Sequence, residues 1–306
     1  MQPLRGIALK VASVCIFVAM ASLIKAASAE VPPGQAVFFR STFALPVIVV
    51  WLWYRHELAT GLKTKSPLGH LWRGLIGTSA MGLGFAGLGL LPLPEVTAIG
   101  YAAPLLVVIF ASMFLGEEVR AFRLTAVAMG LVGVVIVLSP RLSVGADPDI
   151  AETLGAVLVL GSALCAALAQ VFVRKMVQTE STSAIVFWFS VTAASLSLLT
   201  LPWGRAVPSW PVAGMLILAG LMGGVGQILL TSSYRFADAS LIAPFEYTSM
   251  LLALIVGYVI FDEVPTTHML IGAAIIVTAG VAIILRERQL GLERARQRKA
   301  MPPSNG

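Results

Sequence analysis

Charge is what this sequence has least of. Only 12% of its 306 residues are Asp, Glu, Lys or Arg, about half the share found in a soluble domain, while 58% are hydrophobic. Its two cysteines, Cys15 and Cys165, sit inside apolar runs and read as small hydrophobes. The three histidines, His56, His70 and His268, fall at loops or span ends without metal-ligand spacing. The chain has no Ser/His/Asp arrangement, no acidic pair at metal spacing within apolar segments and no phosphate loop. An intramembrane enzyme would need some such cluster. No catalytic residue, metal ligand or cofactor is therefore assigned.

What the chain does have is apolar runs of membrane length, each able to cross a hydrocarbon core of about 30 Å. They fall at 6–27, 35–54, 71–92, 95–115, 122–139, 153–173, 183–203, 212–234, 239–261 and 267–285. The expected fold is an all-α polytopic membrane protein of ten transmembrane helices. The formal charge of +6 is of the sign that attracts nucleic acid, but its distribution follows topology instead. With the N-terminus cytoplasmic, 16 of the Lys and Arg residues fall inside and only Arg141 and Arg205 fall outside, leaving Lys10, Lys25 and Arg40 within spans. By the positive-inside rule both termini are cytoplasmic. The lipid bilayer is the expected partner, and nucleic acid is not.

The chain contains one design twice. A shift of 145 residues lays PEVTAIGYAAPLLVVIFASMFLGEEV (94–119) onto ASLIAPFEYTSMLLALIVGYVIFDEV (239–264). Both copies carry an interrupting proline, Pro104 or Pro244, and both stop at acid-acid-valine, Glu117-Glu118-Val119 or Asp262-Glu263-Val264. A weaker match upstream sets Ser22-Leu23-Ile24-Lys25 near Phe172-Val173-Arg174-Lys175. Five spans per half bring the second half in from the opposite face, so the repeats are inverted, as in many transporters. The expected divisions are a first five-helix repeat at 1–140, an external linker at 141–152, a second repeat at 153–286 and a basic cytoplasmic tail at 287–306, read as disordered.

Two stretches imitate other things. Arg5, Lys10, an apolar run and Ala27-Ser28-Ala29 resemble a cleavable signal peptide. Lys10 and Lys25 interrupt that run, however, and cleavage would leave span 153–173 without its repeat partner, so a retained first span is expected. Gly82-x-Gly84-x-x-Gly87 spells a dinucleotide fingerprint but lies in mid-span without the strand that motif requires. It reads as close helix packing, as do Gly220, Gly224 and Gly226 in the corresponding eighth span.

Polar groups inside spans carry the remaining functional signal. Glu246 lies about 10 Å into the ninth span at 1.5 Å per residue, where a carboxylate must protonate, pair or face water. Tyr101 is its counterpart under the 145 shift, and Tyr247 follows it. Arg40 reads either as an external-mouth substrate contact or as a headgroup anchor, and Lys25 as a snorkelling anchor. Gln170 and Gln227 read as helix–helix hydrogen-bonding groups. Trp188 faces lipid or a cavity, and Glu95 and Asp238 suit helix N-caps.

With these features the chain resembles the drug/metabolite transporter superfamily, EamA type, over residues 5 to about 285. The resemblance rests on the inverted halves, the acid-Glu-Val ends, the glycine-rich third and eighth spans and Phe38-Phe39-Arg40. The opening MQPLRGIALK, with VPPGQAVFFRS and LGLLPLPEVTAIGYAAPLL, is similar more narrowly to bacterial members that include riboflavin importers. The resemblance implies a central cavity holding Tyr101, Gln170, Gln227, Glu246 and Tyr247. It also implies a small-molecule cargo, riboflavin in the first instance, with amino acids or S-adenosylmethionine as alternatives, and a bacterial inner-membrane location. A homodimer is compatible with it. This superfamily has no universal catalytic motif, so no role passes to a residue by inheritance.

Overall fold

The computed structural model describes residues 3–115, 121–142, 150–176, 179–200, 202, 204–236 and 243–300. The elements are α1 (Pro3–Ala27), α2 (Pro33–Tyr54), the short α3 (Leu58–Gly61), α4 (Pro67–Leu90), α5 (Leu93–Gly100), α6 (Ala102–Leu115), α7 (Ala121–Leu142), α8 (Ile150–Met176), α9 (Thr182–Leu198) and α10 (Trp210–Phe236). A 3₁₀ turn (Ala243–Tyr247), α11 (Thr248–Phe261) and α12 (Thr267–Ala300) complete the chain. Six helices are long and apolar enough to cross a membrane, and three shorter apolar ones accompany them. With the glycine-rich α4, and α5–α6 as one span, every expected span has its helix.

Local sequence marks the helix starts. Pro33 and Pro67 occupy first-turn positions of α2 and α4, where a missing N–H costs nothing and φ is already helical. Ser181 caps α9 by accepting the Ala184 amide at 3.2 Å. Asp262 adopts a left-handed conformation at φ 54 to close α11.

Packing follows the repeat. Helix α1 lies along α10 as its counterpart α8 lies along α4, and α7 along α12; α2 crosses both α9 and α10. These principal interfaces therefore join the two repeats. Glycines set the approach distances. A Cβ at Gly84 would meet Ser162 Oγ at 2.9 Å, and one at Gly224 would meet Val47 at 2.8 Å. At Gly133 it would lie 2.8 Å from the Gly272 carbonyl. Of the fingerprint-like glycines, Gly84 and Gly87 are packing residues, since lipid supplies no hydrophobic drive between helices and close backbone contact replaces it, while a Cβ at Gly82 would meet nothing within 4 Å.

Three expectations change. The tail is not disordered where described, because α12 continues to Ala300. Its Arg, Glu, Gln, Lys, Leu and Ala content favours helix even without packing partners. Lys25 does not snorkel: it is held by Glu263 at 2.8 Å. Arg73, one of the 16 residues counted above on the cytoplasmic side rather than within spans, lies inside α4 with two guanidinium nitrogens buried. Glu117, Glu118 and Asp238 lie outside the described residues.

Candidate substrate-binding and coupling site

The repeat-related spans break where the 145 shift aligns them. Helix α5 stops at Gly100 and Tyr101 is its C-cap, its amide shared between the carbonyls of Thr97 at 3.3 Å and Ala98 at 3.2 Å. In the other repeat, the 3₁₀ turn Ala243–Tyr247 hands over to α11 at Thr248. A helix break inside lipid frees backbone groups that side chains must satisfy, and here each break supplies partners to the other. The Tyr101 hydroxyl makes a close hydrogen bond with Ser249 Oγ and lies 3.3 Å from the Glu246 carbonyl. Ser249 Oγ in turn donates to the same carbonyl at 2.7 Å. The Tyr101 and Tyr247 rings meet edge to face with centroids 5.1 Å apart, a favoured geometry for aromatic quadrupoles.

Glu246 pairs. Its Oε2 accepts from Lys10 Nζ of α1 at 2.8 Å. The pair is lopsided, with the Lys10 side chain 2% exposed and the Glu246 side chain 51% exposed. One charge is thus enclosed by protein while its counter-ion keeps an open face, an arrangement that lets the carboxylate meet an incoming group without leaving the lysine. Beside this pair, Ser13 Oγ donates to the Gly226 carbonyl at 3.0 Å, tying α1 to α10. On the far side, Tyr247 Oη occupies the space over Gly280 of α12, where a Cβ would overlap it.

The structure therefore brings together Tyr101, Glu246 and Tyr247, and adds Lys10 and Ser249. Gln170 is exposed on α8 and Gln227 half-buried on α10, and among the described residues neither shows the side-chain hydrogen bond expected of it. The close helix approaches run through small residues, such as Gly87 against Val159 and Gly226 against Phe17, which keeps the amides off those contacts. Arg40 is no headgroup anchor: it is buried, 7% exposed, with its guanidinium carbon 5.8 Å from the Phe189 ring centroid. Trp188 is half-buried, and its Nε1 donates to the Leu62 carbonyl at 3.0 Å. Glu95 is buried in the first turn of α5. Lys10 was visible in the sequence only as a mid-span lysine that calls for some anion, and the fold supplies Glu246 as that anion.

Two clasps close the ends of the bundle. Where α1 finishes, Lys25 and Glu263 pair, each 14% exposed. Glu263 also accepts the Leu93 amide at 2.8 Å, and Lys25 donates to the Leu91 carbonyl at 2.7 Å and the Leu88 carbonyl at 3.2 Å. At the end carrying the termini, buried Glu180 accepts the amides of Lys65 at 2.7 Å and Ser66 at 2.8 Å and the Thr64 hydroxyl at 3.1 Å, with His70 Nε2 at 3.6 Å. Burial pushes the Glu180 carboxyl up, but these hydrogen bonds outweigh it and hold the group below its usual range. Among the described residues no group of three or more His, Cys, Asp or Glu could hold a metal.

An all-helical bundle of repeated halves, with charges meeting at broken helices in its interior, is the architecture of a membrane transporter. The chain belongs to the EamA-like transporter family, which matches residues 4–139 and 153–286, and that family carries solutes rather than catalysing reactions. It is similar to an S-adenosylmethionine uptake transporter of Rickettsia bellii, 29% identical over 83% of this chain and 84% of that one. A riboflavin transporter of Rhizobium johnstonii is 29% identical over 84% and 82%, and a pseudopaline exporter of Pseudomonas aeruginosa 28% identical over 91% and 95%. A solved crystal structure superposes with a TM-score of 0.66 over 93% of this chain and 98% of its own, at 22% identity, a likeness of fold alone.

Proposed function

We propose that this chain is a secondary active importer of a small organic metabolite in a bacterial inner membrane, with both termini cytoplasmic. Riboflavin is the first cargo to test and S-adenosylmethionine the second. The units in this reading are the repeats 1–140 and 153–286, an external linker at 141–152 and a cytoplasmic extension from 287. Alternating access exposes the interior to each side in turn, and the Lys25–Glu263 clasp seals the external end in the state described. The carrying observation is the crossing of Tyr101 with the Glu246–Tyr247 turn, where two broken helices place a half-open carboxylate beside aromatic rings. The names of bacterial relatives support both cargoes, and the shared word uptake supports the direction for the second.

Sealed vesicles containing the protein test this directly. Uptake of labelled riboflavin or S-adenosylmethionine, measured with and without a pH gradient, is expected to exceed empty vesicles for one of them. Glu246→Gln is expected to bind cargo but to lose most net uptake and its pH dependence. Parental uptake with a parental pH profile in that variant would make Glu246 a packing residue.

A further inference from the structure

We propose that Arg40 and Arg73 bind an anionic group of the carried metabolite, a carboxylate or phosphate, against the Phe189 ring. This rests on the transport reading above but not on which cargo is carried. Arg40 comes from α2 and Arg73 from α4, both in the first repeat, and Phe189 comes from α9 in the second. The Arg73 guanidinium carbon sits 4.1 Å from the ring centroid and that of Arg40 5.8 Å, so one ring faces two like charges. Arg40 Nε and Arg73 Nε and Nη1 are buried without a hydrogen-bond partner among the described residues. The ion pairs among those residues engage Lys10, Lys25, Arg55 and His70 instead.

This arrangement is costly unless an anion completes it. Two cations in one low-dielectric region repel, and an arginine cannot relieve the strain by shedding its proton as a lysine can. A brace between helices would need one arginine against one ring, not two. The backbone also makes room for both heads. A Cβ at Gly77 would run into Arg73 Nη1, and one at Gly223 would lie 3.1 Å from Arg40 Nε. A planar guanidinium takes a carboxylate or phosphate through paired, charge-assisted hydrogen bonds, and the vacant nitrogens are the donors for it. Because Phe189 belongs to the other repeat, an anion held here touches both halves of the chain. The site favours a metabolite that bears a carboxylate or phosphate; S-adenosylmethionine, of net charge +1, would offer its carboxylate here, and uncharged riboflavin has no such group.

Matched probes test the charge. S-adenosylmethionine is paired with its decarboxylated form, which differs in the carboxylate alone, and riboflavin 5′-phosphate with riboflavin. Binding is read by thermal stabilisation of the intact protein in neutral detergent, alongside vesicle uptake. In at least one pair the member bearing the carboxylate or phosphate should bind the parent roughly tenfold or more tightly than the partner without it, the scale of one charge-assisted hydrogen bond. Arg40→Gln and Arg73→Gln should abolish that preference, whereas Arg40→Lys and Arg73→Lys, which keep the charge, should retain part of it. Equal binding of the two members in both pairs, or a preference that survives in the double Gln variant, overturns the site. Stabilisation by phosphatidylglycerol alone, dependent on the arginines, would assign them to a lipid headgroup and likewise overturn it. Should the Gln variants not fold, the parent's preference within each pair decides the matter by itself. Arginine-dependent binding without uptake would leave the site standing and remove the transport reading, and uptake without charge preference would do the reverse.

Discussion

The Lys10–Glu246 pair can be taken apart from either side, and its uneven burial makes the two sides unequal. Removing the carboxylate by Glu246→Gln takes away the anion that lies 2.8 Å from a lysine only 2% exposed. Breaking a fully buried pair in this way costs about 3–5 kcal/mol. Because the Glu246 side is half open to solvent, the expected loss is nearer 2–3 kcal/mol, since an exposed partner contributes less. Removing the cation by Lys10→Met leaves a carboxylate that can hydrate itself, and the loss should be about 1 kcal/mol or less. The double variant has no stranded charge and should be more stable than Glu246→Gln alone. The assay is thermal melting of the four purified proteins in one detergent. At roughly 2 °C per kcal/mol for a chain of this size, Glu246→Gln should melt some 4–6 °C below the parent, with the double variant recovering at least half of that. Strictly additive effects, or a Gln variant melting with the parent, would mean that the enclosed lysine does not depend on Glu246.

Three further outcomes are expected. Gly280→Ala should displace the Tyr247 ring, because its Cβ would overlap the tyrosine hydroxyl. Uptake should fall several-fold, and Tyr247→Phe in the same chain should restore part of it by removing the colliding oxygen. The Glu180 carboxyl is held below its usual range in the folded protein, so the stability it provides is fully present above the unfolded carboxylate value near pH 4.3. That stability drains away as pH falls through the lower folded value. A melting scan from pH 7 to pH 3 should therefore show a smaller acid loss in Glu180→Gln than in the parent, from a lower starting point. With Cys15 and Cys165 replaced by Ala, cysteines at exposed Lys63 and Val207 should label from opposite faces, Val207→Cys in intact cells and Lys63→Cys only after permeabilisation. Equal labelling by an impermeant reagent would refute the ten-span topology.

The parts of this fold written in local patterns were legible in the sequence. Apolar runs of membrane length gave the helices, and the 145-residue shift paired Tyr101 with Glu246 before any contact was known. Glycines in α4 and α10 pointed to close packing because small residues serve little other purpose in lipid. The partners were harder to see, because pairing joins residues far apart in the chain. Lys10 could be recognised as a mid-span charge but not matched to Glu246, 236 residues away. Lys25 looked like a snorkelling anchor because its distance from a span end is all a sequence offers; the Leu88 and Leu91 carbonyls and Glu263 that hold it come from other helices. Arg73 sat among the cytoplasmic cations for the same reason, and only α4 starting at Pro67 carries it inward. Helix α12 outran its apolar run because charged residues of high helix propensity extend a helix without burying anything.

The interleaving of the repeats also bears on how the chain is made. Helix α1 packs along α10, and α2 along α9 and α10, so the first helices to leave the ribosome find their neighbours only when the last are synthesised. With 236 residues between Lys10 and Glu246 and elongation at about 5–20 residues per second, Lys10 spends roughly 12 to 47 s without that carboxylate. An unpaired lysine in mid-span costs at least a few kcal/mol in hydrocarbon. During that interval it must stay near the water-filled insertion machinery, hold other partners, or be sheltered by a chaperone. Assembly of this protein is therefore a late event: the ninth span closes a pair opened by the first, and the tenth, α12, then packs along α7.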